Sequence, residues 1–167
     1  MTWWIIPGLL FLFYILRDMG NVKSIANSPQ EFKDLLFPLA QEFENLYGIK
    51  KEIIITHAAL ETDWGRRTID NNLFNVKKGL WNGPTVKVTV KEYDPLKGWY
   101  VATEEFRAYS TFRDSIQDYI NLIQSRYPNA WKNRKNPKKY FEELQKGGYA
   151  TDPLYAYKLT RIYENLV

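Results

Sequence analysis

The charged side chains of this sequence are distributed unevenly. None of its 23 basic and 19 acidic residues falls within the first sixteen positions, and residues 3–16 read WWIIPGLLFLFYIL. From Arg17 onward, polar and apolar residues are mixed as in an ordinary globular domain. A helix that is apolar on every side needs a large core or lipid around it. The chain therefore divides into a short apolar segment and a polar globular part.

Residues 1–20 are predicted to form a single-pass membrane anchor built on a hydrophobic helix. Fourteen helical residues span about 21 Å, less than the roughly 30 Å of a bilayer's hydrocarbon layer. Aromatic residues such as Trp3 and Tyr14, with Arg17 just beyond, settle at membrane interfaces. A slightly short helix with such ends can anchor by thinning the bilayer locally.

Two other interpretations of this segment stay open. A cleaved signal peptide is disfavoured because no Lys or Arg precedes the apolar run, and the small residues Ser24 and Ala26 lie far downstream. A helix buried within the globular domain would need a large core around it. The basic residues Arg17, Lys23 and Lys33 all follow the segment, so the positive-inside rule leaves the globular domain on the cytoplasmic side.

Composition limits the chemistry. A chain of 167 residues that is 45% hydrophobic and 16% aromatic can bury a core, which excludes intrinsic disorder. The absence of cysteine excludes disulfides, thiolate metal sites and cysteine nucleophiles, and His57 is the only histidine. We expect no cofactor and no metal, so catalysis must rest mainly on carboxylates, hydroxyls or lysines. The net charge of +4 indicates only mild attraction to polyanions.

The globular part begins with two predicted helices. Residues 21–27 are predicted to be a linker, and residues 28–167 to be one domain. Ser28-Pro29-Gln30-Glu31 is a capping box with proline at the first helical position, and Gly48 is a stop signal. A second helix from about Lys51 is apolar around most of its circumference, which predicts the central buried helix.

A small hairpin is predicted in the middle of the domain. Residues 85–93 alternate in polarity, 94–98 are turn-forming, and 99–109 return as a second strand. Helices resume at Phe112 and after Asn136, and the last is predicted to begin at Asp152-Pro153. The sequence therefore predicts a mainly helical α+β fold with a small β-hairpin lobe.

Glu61 is the strongest catalytic candidate. It follows Ala58-Ala59-Leu60 near the end of the most apolar helix. Burial and the negative end of the helix dipole both disfavour a charged carboxylate there, as a general acid requires. A solvated stripe of the helix is the alternative.

Glu92 is the second candidate, because the alternation places it on the face of Val86 and Val88 rather than with the lysines. It either joins Glu61 across a cleft between helices and hairpin or lies at the open edge of that face. Most enzymes that cleave a glycosidic bond use two carboxyl groups, which converge here from different elements if Glu92 faces Glu61.

Five strings follow one another between about Ser28 and the C-terminus: AALETDWG (58–65), NNLFNVK (71–77), KEY (91–93), FRAY (106–109) and GYATDP (148–153). In this order they resemble glycoside hydrolase family 73, the glucosaminidase domain of bacterial autolysins, flagellar wall-piercing proteins and phage lysins.

The resemblance implies a lysozyme-like fold and cleavage of the β-1,4 bond between N-acetylglucosamine and N-acetylmuramic acid in peptidoglycan glycan strands. It matches Glu61 to the general acid, Glu92 to the second carboxylate and Tyr149 to the active-site tyrosine. Within the matched strings we expect four residues to contact substrate, since aromatic rings stack on sugars: Trp64, Asn72, Phe74 and Tyr93.

The sequence departs from the family pattern at three positions. It has His57 where the family often has Gln, Thr62 in place of Ser, and Asn75 in place of Gly. Asn reaches the backbone angles of glycine less easily, so Asn75 is expected to affect the loop. A single histidine without a metal-binding motif predicts a satisfied buried side chain.

Several alternatives remain at the level of sequence. A muramidase or lytic transglycosylase on the same fold is the nearest, and a catalytically silent wall-binding or structural virion module belongs to another class. The basic run of residues 132–139 is predicted to be a solvated face rather than a nucleic-acid site. We expect a monomeric catalytic domain that is membrane-associated, in a bacterial envelope or a phage virion membrane.

Overall fold

The computed structural model describes the backbone of residues 22–94, 98–150 and 152–167, and the side chains of these residues apart from 90–94 and 99. The hydrophobic helix predicted at residues 3–16 lies outside this part of the chain. The described elements, in chain order, are β1 (Val22–Lys23), α1 (Pro29–Tyr47), α2 (Lys51–Thr62), β2 (Thr68–Ile69), β3 (Thr85–Asp94), β4 (Gly98–Arg107), α3 (Phe112–Arg126), α4 (Pro128–Lys132), α5 (Pro137–Lys146) and α6 (Tyr155–Glu164).

The bounds of α1 follow from the capping signals in the sequence. Ser28 Oγ accepts a hydrogen bond from the Glu31 N–H at 3.1 Å, and Pro29 occupies the first helical position. Gly48 ends the helix with a left-handed φ of 67°, and its N–H donates to the Glu44 carbonyl at 2.8 Å. Both predicted ends of this helix are confirmed.

Helix α2 is the centre of the domain, as predicted. It packs between α1 and α6. Side chains around its whole circumference are buried, because the run of Ile53, Ile54 and Ile55 is followed by small residues that let neighbouring helices approach. The buried members are Ile53, Ile54, Ile55, Thr56, His57, Ala58, Ala59 and Thr62.

Strands β3 and β4 form the predicted antiparallel hairpin, in register from Thr85 opposite Arg107 to Asp94 opposite Gly98. The hairpin has a small core of its own, in which Val88 and Phe106 are fully buried against Ile69. This second cluster stabilises the half of the hairpin nearest the helical body.

A buried ion pair joins the hairpin to the helices. Arg107, the last residue of β4, donates to both carboxylate oxygens of Asp118 on α3, at 3.1 and 2.8 Å. The Tyr109 hydroxyl donates to the same carboxylate at 2.6 Å. The two charged side chains are only 12% and 14% exposed, so this contact fixes the hairpin's base on the helical body.

Three local predictions differ from the structure. The described residues of the predicted linker pack on the domain: Val22 and Lys23 pair with Ile69 and Thr68, and Ala26 is buried. A short helix, α4, lies between α3 and α5. The last helix begins at Tyr155 rather than at Asp152, because Asp152 closes a turn instead, its Oδ1 accepting the Leu154 N–H at 2.8 Å.

The mainly helical α+β architecture with a hairpin lobe is confirmed. None of the helices within residues 22–94, 98–150 and 152–167 combines the length and the hydropathy needed to cross a bilayer.

Candidate active site around Glu61

Glu61 lies in the last turn of α2, and its side chain is only 6% exposed. The Tyr155 hydroxyl, from α6, donates a hydrogen bond to Glu61 Oε1 at 3.0 Å. Asn75 Nδ2 lies 3.5 Å from Oε2, the other carboxyl oxygen. Each oxygen therefore faces a different partner, and the enclosure excludes the alternative of a solvated helix stripe.

Asn75 holds the loop after β2 against the end of α2. Its φ is +47°, in the left-handed region that glycine reaches most easily, and its Nδ2 donates to the Glu61 backbone carbonyl at 2.5 Å. The departure from glycine at this position thus keeps the glycine-like backbone. It adds an amide that contacts Glu61 at two points.

His57, one helical turn before Glu61, is fully buried and bonded at both ring nitrogens. Nδ1 lies 2.7 Å from the Tyr119 hydroxyl, and Nε2 is hydrogen-bonded to the Tyr155 hydroxyl. Tyr119 is in turn 2.7 Å from the Tyr140 hydroxyl. The prediction of a satisfied buried histidine is confirmed, and the histidine belongs to a chain of side chains that ends at Glu61.

Aromatic rings enclose this chain of hydrogen bonds. Phe74 stacks on Tyr119 with ring centres 4.0 Å apart. Tyr149 stacks on Tyr155 at 5.8 Å and contacts the His57 ring at 4.8 Å. Tyr149 follows Gly148, whose φ of 76° turns the chain after α5. The structure therefore brings Tyr149 beside the partners of Glu61.

The tyrosines around His57 stay protonated. Burial, followed by the nearby charge of Glu61, raises the pKa of Tyr149 and of Tyr155 well above the ordinary value. Burial likewise raises the pKa of Tyr119. Their hydroxyls consequently remain hydrogen-bond donors at neutral pH.

The turn after α2 has an unusual backbone. Asp63, Trp64 and Gly65 all have positive φ, at 52°, 57° and 79°. A Cβ on Gly65 would lie 2.6 Å from the ring of Phe32, so only glycine fits. The Thr62 hydroxyl closes the turn by accepting the Gly65 N–H at 2.9 Å. This tight turn fixes where Glu61 ends the helix.

The expected substrate contacts have different outcomes. Asn72 is fully buried, and its amide makes four hydrogen bonds to backbone groups within the protein. Phe74 is 1% exposed. Both belong to the framework of the site, and their contact with substrate stays a prediction. Trp64 is partly buried, edge-on to Phe32 at 6.1 Å.

Glu92 and Tyr93 are described by their backbone alone. They lie near the end of β3, in register with Tyr100 and Trp99. Glu92 is therefore on the hairpin as predicted, and its catalytic role stays a prediction.

Two residues that contact Glu61 were not found from the sequence as site residues. Tyr155 lies 94 residues away, and Asn75 was noticed only as a departure from glycine. The four-residue spacing of His57 and Glu61 was the one local signal of this cluster. In the described ranges, no three histidine, aspartate or glutamate side chains converge as metal ligands would.

The basic run of residues 132–139 is largely paired. Arg134 donates to the Tyr47 carbonyl at 2.9 Å and lies over the Trp131 ring. Lys138 pairs with Glu164, and Lys139 with Glu142. Lys138 and Lys139 thus lie on the surface of α5, and Arg134 lies in the turn before it.

Comparison with known proteins identifies relatives of this domain. The family model Glucosaminidase, described as mannosyl-glycoprotein endo-beta-N-acetylglucosaminidase, matches residues 37–167. The peptidoglycan hydrolase FlgJ of Pseudomonas aeruginosa is 37% identical over 157 residues, which cover 86% of this chain and 38% of that protein. The exo-glucosaminidase LytG of Bacillus subtilis is 36% identical over 172 residues, covering 93% of this chain and 60% of LytG.

Solved structures agree with these matches. The glycoside hydrolase domain of FlgJ from Salmonella typhimurium, truncated at its C-terminus, has a TM-score of 0.66 at 30% identity and covers 83% of this chain and 97% of that one. A peptidoglycan hydrolase mutant from Sphingomonas sp. A1 has a TM-score of 0.68 at 35% identity, covering 80% and 92%. The chain spans 38% to 49% of the length of the FlgJ proteins from Pseudomonas and Vibrio.

Proposed function

Because the chain belongs to the glucosaminidase family, we propose that it is a peptidoglycan hydrolase that cleaves the β-1,4 bond between N-acetylglucosamine and N-acetylmuramic acid. The polymer is suggested by the names of the FlgJ relatives, and the bond type by the family and by LytG. In this chain, the supporting observation is the enclosed Glu61 carboxyl, with a separate side chain facing each oxygen.

Glu61 serves as the general acid in this proposal. Its O–H protonates the glycosidic oxygen as the bond from that oxygen to C1 of the sugar breaks, and a water oxygen then bonds to C1. Glu92 takes the proton from that water, or it stabilises the positive charge that develops on the sugar ring while Glu61, now a carboxylate, takes the proton. Tyr149, beside Tyr155 and His57, forms the adjoining wall of the site.

The test is cleavage of purified peptidoglycan by the full chain and by Glu61→Gln. Loss of the acid proton removes a general acid, so we expect Glu61→Gln to clear wall suspensions at least about 100-fold more slowly. Glu52→Gln, on the first turn of the same helix, is the matched control and keeps full activity. A folded Glu61→Gln protein with full lytic activity contradicts the assignment.

Mass spectrometry of the products identifies the bond. Reducing N-acetylglucosamine ends support the proposal. Reducing N-acetylmuramic acid ends indicate a muramidase, and anhydromuramic ends a lytic transglycosylase. If the protein binds the wall but releases no products, it is the catalytically silent wall-binding or structural virion module instead.

We further propose that residues 3–16 hold the catalytic domain at a membrane of the bacterial envelope or of a virion. The support is the absence of charge in this segment and its aromatic ends, Trp3 and Tyr14. Leu10→Arg places a charge at the centre of this segment, so we expect that variant to leave the membrane fraction while wall cleavage in solution is kept.

We also propose that the catalytic domain is monomeric. The mass of a dimer in light scattering would contradict this.

A further inference from the structure

With a neutral His57 ring, the hydrogen bonds around it leave only one arrangement of protons when Tyr155 donates to Glu61. A tyrosine hydroxyl has a single proton. If that proton points to Glu61 Oε1, at 3.0 Å, the Tyr155 oxygen must act as the acceptor toward His57 Nε2. His57 then carries its proton on Nε2 and leaves Nδ1 as an acceptor.

Tyr119 completes the arrangement on the other side of the ring. Its hydroxyl lies 2.7 Å from Nδ1 and donates to it. The Tyr119 oxygen then accepts from the Tyr140 hydroxyl, also at 2.7 Å. Every hydrogen bond in this chain points toward Glu61, and every member except Glu61 itself is fully buried. A neutral imidazole satisfies both of its partners.

We propose that His57 is a positioning residue for Glu61, which fixes the Tyr155 hydroxyl as a donor to Oε1 and so leaves Oε2 to carry the acid proton. This inference rests on the proposed role of Glu61 as the general acid. Asn75 Nδ2 donates to Oε2 over a longer distance, 3.5 Å against 3.0 Å for Tyr155 and Oε1, so Oε2 is the oxygen more weakly held by a donor.

Side chains from several elements surround His57 and keep its hydrogen bonds directed toward Glu61. Glu61 is on its own helix, Tyr119 is on α3, Tyr155 is on α6, and Tyr149 precedes α6. Phe74 adds an apolar ring to these surroundings. Burial raises the pKa of each of the three tyrosines, so their hydroxyls stay protonated beside Glu61.

The test measures kcat, KM and the pH dependence of kcat/KM for the full chain on soluble peptidoglycan fragments. His57→Leu removes both ring nitrogens at similar volume, and His57→Gln restores a donor and an acceptor. We expect His57→Leu to lower kcat about tenfold with KM changed less than about twofold, because the acid is misaligned while substrate contacts remain. His57→Gln should recover most of the lost kcat.

The pH profile separates positioning from general loss of structure. A Tyr155 hydroxyl that no longer points steadily at Oε1 stabilises the charged carboxylate less. The alkaline limb of the His57→Leu profile should therefore move to higher pH by about half a unit. Destabilisation alone lowers the whole profile without moving its limbs.

Tyr119→Phe provides a second variant should His57→Leu fail to fold. It keeps the ring that stacks on Phe74 and removes the donor to Nδ1, so it should lower kcat and move the alkaline limb in the same direction. Tyr47→Phe is its control, since it also removes one tyrosine hydrogen bond, to Gln117, outside this chain of side chains.

The inference is overturned if folded His57→Leu or Tyr119→Phe keeps the native kcat and the native pH profile. It is also overturned if His57→Gln does not recover the kcat that His57→Leu loses. If Glu61→Gln loses cleavage while the His57 variants behave like the native chain, the proposed function is kept and only the role of His57 is rejected. Full cleavage by Glu61→Gln contradicts both the proposed function and the role of His57.

Discussion

The Tyr155 hydroxyl donates to Glu61 Oε1 across a sequence separation of 94 residues. One contact thus joins the end of α2 to the start of α6. The tyrosine is fully buried, so its hydroxyl has no water to turn to when Glu61 gains or loses a proton. The last helix of the domain is therefore part of the support of the proposed acid.

Replacing Tyr155 by Phe tests that support. The change removes the donor to Glu61 and leaves His57 Nε2 without its oxygen partner, so we expect kcat to fall about tenfold and stability by about 1–3 kcal/mol. Tyr157→Phe is the matched control, because Tyr157 lies on the same helix and is 61% exposed. Equal activities of the two variants in a peptidoglycan cleavage assay would disprove the role of Tyr155.

Asn75 should contribute to activity rather than to stability. Asn75→Gly relieves a backbone φ of +47° but removes the amide that contacts Glu61. We expect unfolding in urea to change by less than about 1 kcal/mol, since the gain and the loss offset each other, and kcat to fall about threefold. Asp70→Gly, at an exposed position with φ 42°, should leave kcat unchanged. Unaltered kcat in Asn75→Gly is the contrary result.

The pair between Arg107 and Asp118 should dominate the stability of the hairpin's attachment. Asp118→Ala leaves a largely buried guanidinium without its carboxylate partner and should cost about 3 kcal/mol in chemical denaturation. Glu42→Ala, which breaks an exposed pair with Arg113, should cost less than about 1 kcal/mol. Similar costs for both variants would show that burial of the first pair is unimportant.

Acid should weaken the turn that precedes α6. Burial disfavours the charge of Asp152, but hydrogen bonds from Lys158 and from the Leu154 N–H, together with the charge of Lys158, lower the pKa of Asp152 below its ordinary value. The charged Asp152 carboxylate therefore stabilises the fold fully above its unfolded-state pKa of about 4. This stabilisation disappears as the pH falls through the lower pKa of the folded state. Lys158→Met should be about 1 kcal/mol less stable than the native chain at pH 7.

That difference should shrink at pH 3, in urea denaturation, as Asp152 becomes protonated. A difference that grows on acidification would have the wrong sign for a carboxyl with a lowered pKa. Arg161→Met, which removes an exposed contact to Glu164 on the same helix, is the control.

Local signals predicted the elements better than the site. Ser28 and Gly48 bound α1 because capping depends on neighbouring residues alone, and the apolar run of α2 predicted its burial. Asp152-Pro153 looks like a helix start, but tertiary contacts with Lys158 and Gln145 place these residues in a turn. The residues that enclose Glu61 come from helices far apart in sequence, so no local pattern could indicate them.

The pairing of β1 with β2 also sets how far the proposed enzyme can reach. Val22 and Lys23 are pinned beside the turn that ends α2, and the Ile25 N–H donates to the Gly65 carbonyl at 2.9 Å. Only five residues, 17–21, lie between this point and the apolar segment of residues 3–16 that we propose lies in the membrane, and any five residues span at most about 17 Å. If residues 3–16 lie in a membrane as proposed, a domain attached by so short a segment reaches only the layer of wall next to that membrane. The length of the attachment then limits how much wall is cleaved.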